Sequence, residues 1–304
     1  MLAAAWAGGS SDASGRPPAP LLVAAGDIAC DPDSSLFNGG HGIGKSCRQL
    51  ATSRLLRRAD MVMALGDAQY EHGSYSNFQR SYDRSWGRYR RVTRAVAGNH
   101  EYGPPQNPNL GADGYWRYFG TSRAGAKDKG WYSFNLGNWH VIGLNSQCLT
   151  SRDPRYMQRK VGCDHGTEQV DWLKRDLADN DRKCILAAWH HPRFTSGSPW
   201  RELEPIWGVL DEAGADVVLS AHVHNYERFA RQSADGSRTV EGIRQFVVGT
   251  GGKSISGQFL PRARHSQARR LAPGVLELRL GAAGYGWKFV QIGGRTLDRG
   301  STSC

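Results

Sequence analysis

Five apolar runs in this chain each break abruptly into a short polar cluster, and that repeated break limits what the chain can fold into. Leu21–Ala25 runs into Gly26-Asp27, and Met61–Leu65 into Gly66-Asp67-Ala68-Gln69-Tyr70. Ala95–Ala97 runs into Gly98-Asn99-His100-Glu101, and Cys184–Ala188 into Trp189-His190-His191-Pro192. Val217–Leu219 runs into Ser220-Ala221-His222-Val223-His224-Asn225. Runs of this length bounded by turn residues read as buried strands. In open α/β sheets the loops at the C-terminal ends of strands converge, so five such clusters predict one crevice lined by Asp, Tyr, Asn and His.

Between the strands lie helical patterns. Phe78, Tyr82, Trp86 and Tyr89 fall at helical spacing, as do Val170, Leu173 and Leu177 after a candidate N-cap at Thr167. Leu203–Ala213 is a third helix, and Val141–Leu144 a further strand. Alternating strands and helices predict an α/β layered fold. In the last third, Ile243–Val248, Val275–Leu280 and Gly286–Val290 read as strands with no helix between them. With Trp131–Leu136 they predict a second, mostly antiparallel sheet. Gly103–Gly114 reads as a loop, and the basic segment Arg262–Arg270 as a solvated loop.

The net charge of +11 attracts anions, whether small phosphate esters or nucleic acid. Much of the excess is scattered arginine (Arg54, Arg57, Arg58, Arg84, Arg88, Arg90, Arg91), expected on solvated faces, with no aromatic-interleaved basic segment. No run approaches the ~20 apolar residues of a membrane span. Of the six cysteines none forms a CxxC pair, which disfavours a structural zinc site. An even count suits disulfides and an oxidising compartment, although some of these thiols are equally compatible with burial in reduced form. Short loops suggest Cys30 with Cys47 and Cys148 with Cys163, leaving Cys184 and Cys304. The first twenty residues, small, polar and Pro-rich, read as a disordered leader without a complete signal peptide.

Carboxylate and amide oxygens together with imidazoles suit Fe, Mn or Zn. A carboxylate can bridge two cations, and two such cations can clamp a phosphoryl group. The glycines before Asp27, Asp67 and Asn99 are expected to permit the sharp turns that present those residues. His222 and His224, two apart, would point the same way on a strand.

The motifs GDxxY at Gly66–Tyr70, GNHE at Gly98–Glu101, HxP at His190–Pro192, and HxH followed by NYER at His222–Arg228 resemble the purple acid phosphatases, within the calcineurin-like metallophosphoesterases. The resemblance spans about residues 21–290, and the run Tyr285–Phe289 looks like secreted bacterial members. It implies an α/β/β/α sandwich of two mixed sheets flanked by helices, with residues 21–304 as the catalytic domain. It also implies hydrolysis of phosphate esters, monoesters first, by a metal-bound hydroxide. Asp27, Tyr70 and His224 would hold one metal, Asn99, His190 and His222 the other, and Asp67 would bridge them. His100 would bind phosphate or protonate the leaving group. Tyr70 implies ferric iron, partnered by Zn, Fe or Mn. Small phosphorylated substrates and, with the cysteine count, secretion or a periplasmic location follow from the same resemblance. Phosphodiesters, nucleotides, or phosphate binding without turnover remain compatible with these residues.

Gly249–Gly252 resembles a family loop near the site. Ala221 stands where the family usually has Gly, and Phe194–Trp200 lacks a histidine often found there. His191 is expected to support the site or lie exposed rather than coordinate, and His140 to be a satisfied core histidine.

Overall fold

The computed structural model describes residues 18–103, 111–148, 162–256 and 261–304. The expected leader, up to residue 17, and most of the Gly103–Gly114 loop lie outside the described residues.

The apolar runs form strands as their composition predicts: β1 (Leu21–Ala25), β2 (Met61–Leu65), β3 (Thr93–Val96), β4 (Tyr132–Leu136), β5 (Trp139–Gly143), β6 (Cys184–Ala188) and β7 (Val217–Ser220). After them come β8 (Tyr226–Gln232), β9 (Ile243–Val248), β10 (Ser266–Arg270), β11 (Gly274–Gly281), β12 (Gly284–Gln291) and β13 (Thr296–Ser303). They build a six-stranded sheet, β13-β12-β11-β1-β2-β3, and a seven-stranded sheet, β10-β8-β9-β7-β6-β5-β4. In the six-stranded sheet β1, β2 and β3 form a parallel half that ends at the β3 edge, and in the seven-stranded sheet β5-β6-β7-β9 form a parallel centre; antiparallel strands complete each.

The two faces of the seven-stranded sheet show why the architecture is layered. Side chains alternate across a strand. Cys184, Leu186 and Ala188 of β6 face the core between the sheets. Ile185 and Ala187 face the other way, toward the helices Glu168–Ala178 and Glu204–Glu212. On the outer side of the six-stranded sheet, Phe78, Tyr82, Trp86, Tyr118 and Phe119 form an aromatic cluster, with Phe78 stacked on Tyr118 at 4.8 Å between centroids. The result is an α/β sandwich of two mixed sheets between helical layers.

The last third departs from its sequence reading. Its strands do not make one antiparallel sheet: β11 and β12 extend the six-stranded sheet beside β1, whereas β9 enters the parallel centre of the other sheet and β4 forms its edge. Strands joined by short turns pair antiparallel, but β11 finds its second neighbour in the distant β1. Half of the basic 262–270 segment is the edge strand β10, paired with β8. The segment around Phe78 is not one helix. Ser85 sits at φ −120°, ψ −94°, and its hydroxyl donates to the carbonyls of Ser81 and Tyr82, so the chain makes separate short helical turns. Thr167 is the N-cap of its helix by position, but its hydroxyl donates to Asp164 O rather than capping. The seven scattered arginines are exposed as expected.

Cysteines pair as 30–47, 148–163 and 184–304. The last ties the start of β6 to the end of β13, joining the two sheets across 120 residues of sequence. Closing so long a loop restricts the unfolded chain most. Replacing both Cys184 and Cys304 with Ser should lower the unfolding free energy by about 2–5 kcal/mol in denaturant titrations. An unchanged midpoint would show that the bridge adds nothing to the joint between the sheets.

Candidate metal centre

The C-terminal ends of β1, β2, β3, β6 and β7 meet at one crevice, and all seven residues singled out as ligands lie there. Asp27 and Asp67 are 0 % and 1 % exposed, and His190 is 0 % exposed. One cluster contains Tyr70 Oη, 2.5 Å from Asp27 Oδ1 and 3.1 Å from His224 Nε2. The other contains Asn99 Oδ1, 3.2 Å from His190 Nε2 and 3.0 Å from His222 Nδ1. Asp67 Oδ2 belongs to both, 3.0 Å from Tyr70 Oη and 3.2 Å from His190 Nε2.

Local backbone explains the convergence. Asp27, Asp67 and His222 all adopt left-handed φ values of 57°, 47° and 66°. Such values strain a residue with a Cβ and persist only where the surroundings enforce them. Of the three preceding glycines only Gly66 has a positive φ, 83°, so sharp turning is not the general reason for them. Close approach is: a Cβ on Gly98 would lie 2.2 Å from Asp67 Oδ1, and one on Gly26 2.5 Å from Ala221 Cβ. Ala221 in place of Gly is therefore accommodated by the bare backbone of Gly26, and its methyl is fully buried. His222 and His224 do not share a strand face. They lie in the turn before β8 and serve different clusters.

The supporting contacts come partly from residues outside the motifs, Ser146 and Ser254 among them, and partly from Glu101 of the GNHE motif and the Gly249–Gly252 loop. His190 Nδ1 donates to Leu65 O at 2.8 Å, and His224 Nδ1 is held by Ser254 Oγ at 2.6 Å, which aims both Nε2 atoms inward. Ser146 Oγ accepts from the backbone N–H of His190 and His191 at 3.2 and 3.0 Å. Glu101, fully buried, accepts from the N–H of Asp67, Ala68 and Gly98 at 2.8, 2.8 and 2.7 Å, clipping the turn after β2 to the turn after β3. The Gly249–Gly252 loop packs against the Asp27 turn, and Lys253 beyond it donates its N–H to Asp27 O at 2.9 Å. Lys253 Nζ pairs with Glu71 and lies 4.5 Å over the Tyr70 ring.

His100 is 29 % exposed in its side chain, at the mouth of the crevice. Its Nδ1 donates to Glu71 O at 2.7 Å, and its Nε2 faces Asp67 Oδ2 at 3.9 Å. His191 is buried beneath Trp200, stacked at 4.2 Å, with Nδ1 2.9 Å from Ser146 Oγ. Its ring lies 4.6 Å from that of His222, so it packs against the cluster rather than lying exposed. Trp200 occupies the stretch that lacks a histidine. His140 is a satisfied core residue, between Asn135 at 2.9 Å and Asp176 at 2.8 Å.

These residues fit metal ions. Ligand atoms around a cation at bonds of about 2.1 Å sit roughly 3 Å apart in octahedral geometry, and the contacts within each cluster run from 2.5 to 3.3 Å. Acceptors also outnumber protons: the Tyr70 hydroxyl has three neighbours able to take its single hydrogen. Burial alone would lower the pKa of His190, yet Asp67 beside it, by charge and hydrogen bond, raises it to about 9. Burial would raise Asp27, but His224 and His190 hold it below the usual carboxylate range. Burial and the two carboxylates push the Tyr70 phenol well above its usual value. Burial and its neighbour His190 push His222 down to about 4. The cluster draws positive charge from whatever source is present.

Two outcomes follow. With a folded-state pKa of about 9 against an ordinary 6.5, protonated His190 stabilises the metal-free chain fully below pH 6.5, and that stabilisation is lost as pH rises through 9. Metal must displace that proton. Melting temperatures of metal-free protein should therefore fall between pH 6.5 and 9 while zinc affinity rises; melting and affinity that are both flat would contradict the assignment. Glu101→Ala leaves four buried N–H groups, those of Asp67, Ala68, Gln69 and Gly98, without this acceptor and should cost about 3 kcal/mol or more, with loss of bound metal in equilibrium dialysis. Wild-type stability and metal uptake in that variant would contradict the clip.

The sequence profile of the family described as calcineurin-like phosphoesterase matches residues 22–226. Purple acid phosphatase 15 of Arabidopsis thaliana is 27 % identical over 206 residues, covering 57 % of this chain and 36 % of that protein. Probable inactive purple acid phosphatase 9 of the same plant is 24 % identical over 289 residues, covering 79 % of this chain and 41 % of that one. The chain thus spans well under half the length of these relatives. Purple acid phosphatase PPD1 from yellow lupin seeds superposes with a TM-score of 0.75 at 18 % identity, over 95 % of this chain and 54 % of that one, a likeness of fold. With more than half of its length matched by the family profile, the chain belongs to the calcineurin-like phosphoesterases.

Proposed function

We propose that this protein hydrolyses phosphate esters, monoesters first, at a centre holding two metal ions. The observation that carries the reading is Asp67 Oδ2 lying within 3.2 Å of both clusters, the position of a shared ligand. Asp27, Tyr70 and His224 would hold one ion, Asn99, His190 and His222 the other, and Asp67 would be shared by both. A phenolate ligand favours ferric iron at the first position, partnered by Zn, Fe or Mn. When bound, the ions supply Lewis acidity toward phosphoryl oxygens and acidify water.

The chain's own groups do the rest. Asp27 and Asp67 supply the buried negative charge that keeps the ions in place. The Glu71 carbonyl fixes the proton of His100 on Nδ1, so Nε2 faces the crevice. Protonated there, His100 donates to a phosphoryl oxygen or to the departing oxygen. No nucleophilic side chain of the protein is required. His191 and Trp200 close the His222 side against water. Residues 21–304 make up the catalytic unit. The three disulfides support residence in an oxidising compartment outside the cytoplasm.

Asp67→Ala should abolish hydrolysis of p-nitrophenyl phosphate, and His100→Ala should slow it by about 10²-fold or more. Tyr70→Phe should remove the visible band of a ferric phenolate while leaving some turnover. An unchanged rate in Asp67→Ala would overturn the proposal.

A further inference from the structure

Strands β8 and β9 each have one end at the metal centre. At their other ends, roughly 15 Å away at 3.3 Å per residue, three arginines converge. Arg231 lies on β8, Arg244 on β9, and Arg238 on the connection between them. Together with Gln267, Thr302 and Ser303 they line a cavity of about 650 Å³ where the edges of the two sheets meet. That is the size of a small-molecule site.

The charges here are uncompensated. Among the described residues, no carboxylate lies within ion-pair reach of Arg231, Arg238 or Arg244, whereas the adjacent Arg228 pairs with Asp298 at 2.7 Å. Arg231 is held by neutral oxygens only: Val240 O at 2.9 Å, Thr302 Oγ1 at 3.4 Å and Ser303 O at 2.5 Å. Arg244 donates to Phe229 O at 2.9 Å and Gln267 Oε1 at 3.0 Å, and its guanidinium lies 5.1 Å over the Trp287 ring. Asp216, whose field reaches Arg231, is engaged with Ile185 N at 3.0 Å. A break in the β8–β9 register between Arg228 and Arg231 sets the direction of Arg231. Burial, with the like charges of Arg228 and Arg231, pushes Arg244 below its ordinary pKa.

Arg231 and Arg244, half-buried and fixed by neutral partners, repel one another, with the exposed Arg238 at the same cavity, and an anion placed among the three relieves that repulsion. Guanidinium forks match the paired oxygens of phosphate and sulfate. The volume far exceeds the ~30 Å³ share of one water, so there is room for more than one such group. We propose that this cavity is a second anion site, separate from the metal centre, for a small ligand bearing two or more phosphate or sulfate groups.

Two calorimetric titrations test it on the full chain. Sucrose octasulfate, which offers no phosphate ester, is titrated into wild-type protein. Inorganic tripolyphosphate is titrated into the Asp67→Ala variant, so that turnover does not obscure binding. At low salt at least one probe should bind once per chain, and which of them binds identifies a sulfate or a phosphate ligand. Arg238→Glu changes an exposed side chain, and it should weaken that binding about tenfold or more while leaving p-nitrophenyl phosphate turnover unchanged. Arg231→Gln should weaken binding likewise. Absence of binding by both probes up to about 1 mM, or affinities indifferent to both substitutions, would overturn the proposal.

Discussion

The structure is organised around the cost of burying Asp27 and Asp67 beside each other. Two carboxylates out of water repel and are poorly solvated, and they need positive charge close at hand. Against their burial, the neighbours His190 and His224 are both drawn toward the protonated form, chiefly by Asp67 and by Asp27 respectively, and Tyr70 donates between the two acids. The left-handed backbone at Asp27, Asp67 and His222 is a second cost, and it is borne by the parallel strands of both sheets that these residues follow. Each sheet brings part of this cluster, so the cluster exists only when the sheets are packed together. The Cys184–Cys304 bridge and the shared core both act on that joint.

Two further devices hold the ligands. Glu101 accepts from four N–H groups, three in the turn after β2 and one in its own turn after β3, which makes the Asp67 and Asn99 turns one unit. Leu65 O and Ser254 Oγ each take the outward nitrogen of an imidazole, so His190 and His224 present the inward one. His100 is likewise tied to a carbonyl but differs from these residues in being partly open to solvent at the mouth of the crevice, which leaves its other nitrogen free to meet a bound molecule.

Much of this was legible in the sequence, for physical reasons. β1, β2 and β6 have the bounds that the apolar runs suggest, because a strand buried on both faces must be apolar throughout and a Gly or Trp-His turn ends it abruptly. β8, β10 and β13 were not legible. YERFARQ, SQARR and TLDRGSTS carry charges and hydroxyls, and β10 and β13 are sheet edges whose pairing rests on backbone hydrogen bonds rather than apolar content. The seven clustered side chains could be found because they follow strands in recognisable motifs. Ser146 and Ser254 act on backbone groups or ring nitrogens distant in sequence, and nothing in their local pattern marks them; Glu101 stands in the GNHE motif, but its reach to the turn after β2 does not show in that motif. The arginine cavity was hidden for the same reason: β8, β9, β10 and β13 meet there only after both sheets have formed.

The account stands on two cations sharing Asp67. The most direct test is elemental analysis of purified protein, counting metal atoms per chain. Two per chain, one of them iron, is the predicted result. No bound metal, even after iron, zinc and manganese have been supplied, would contradict the account at its centre.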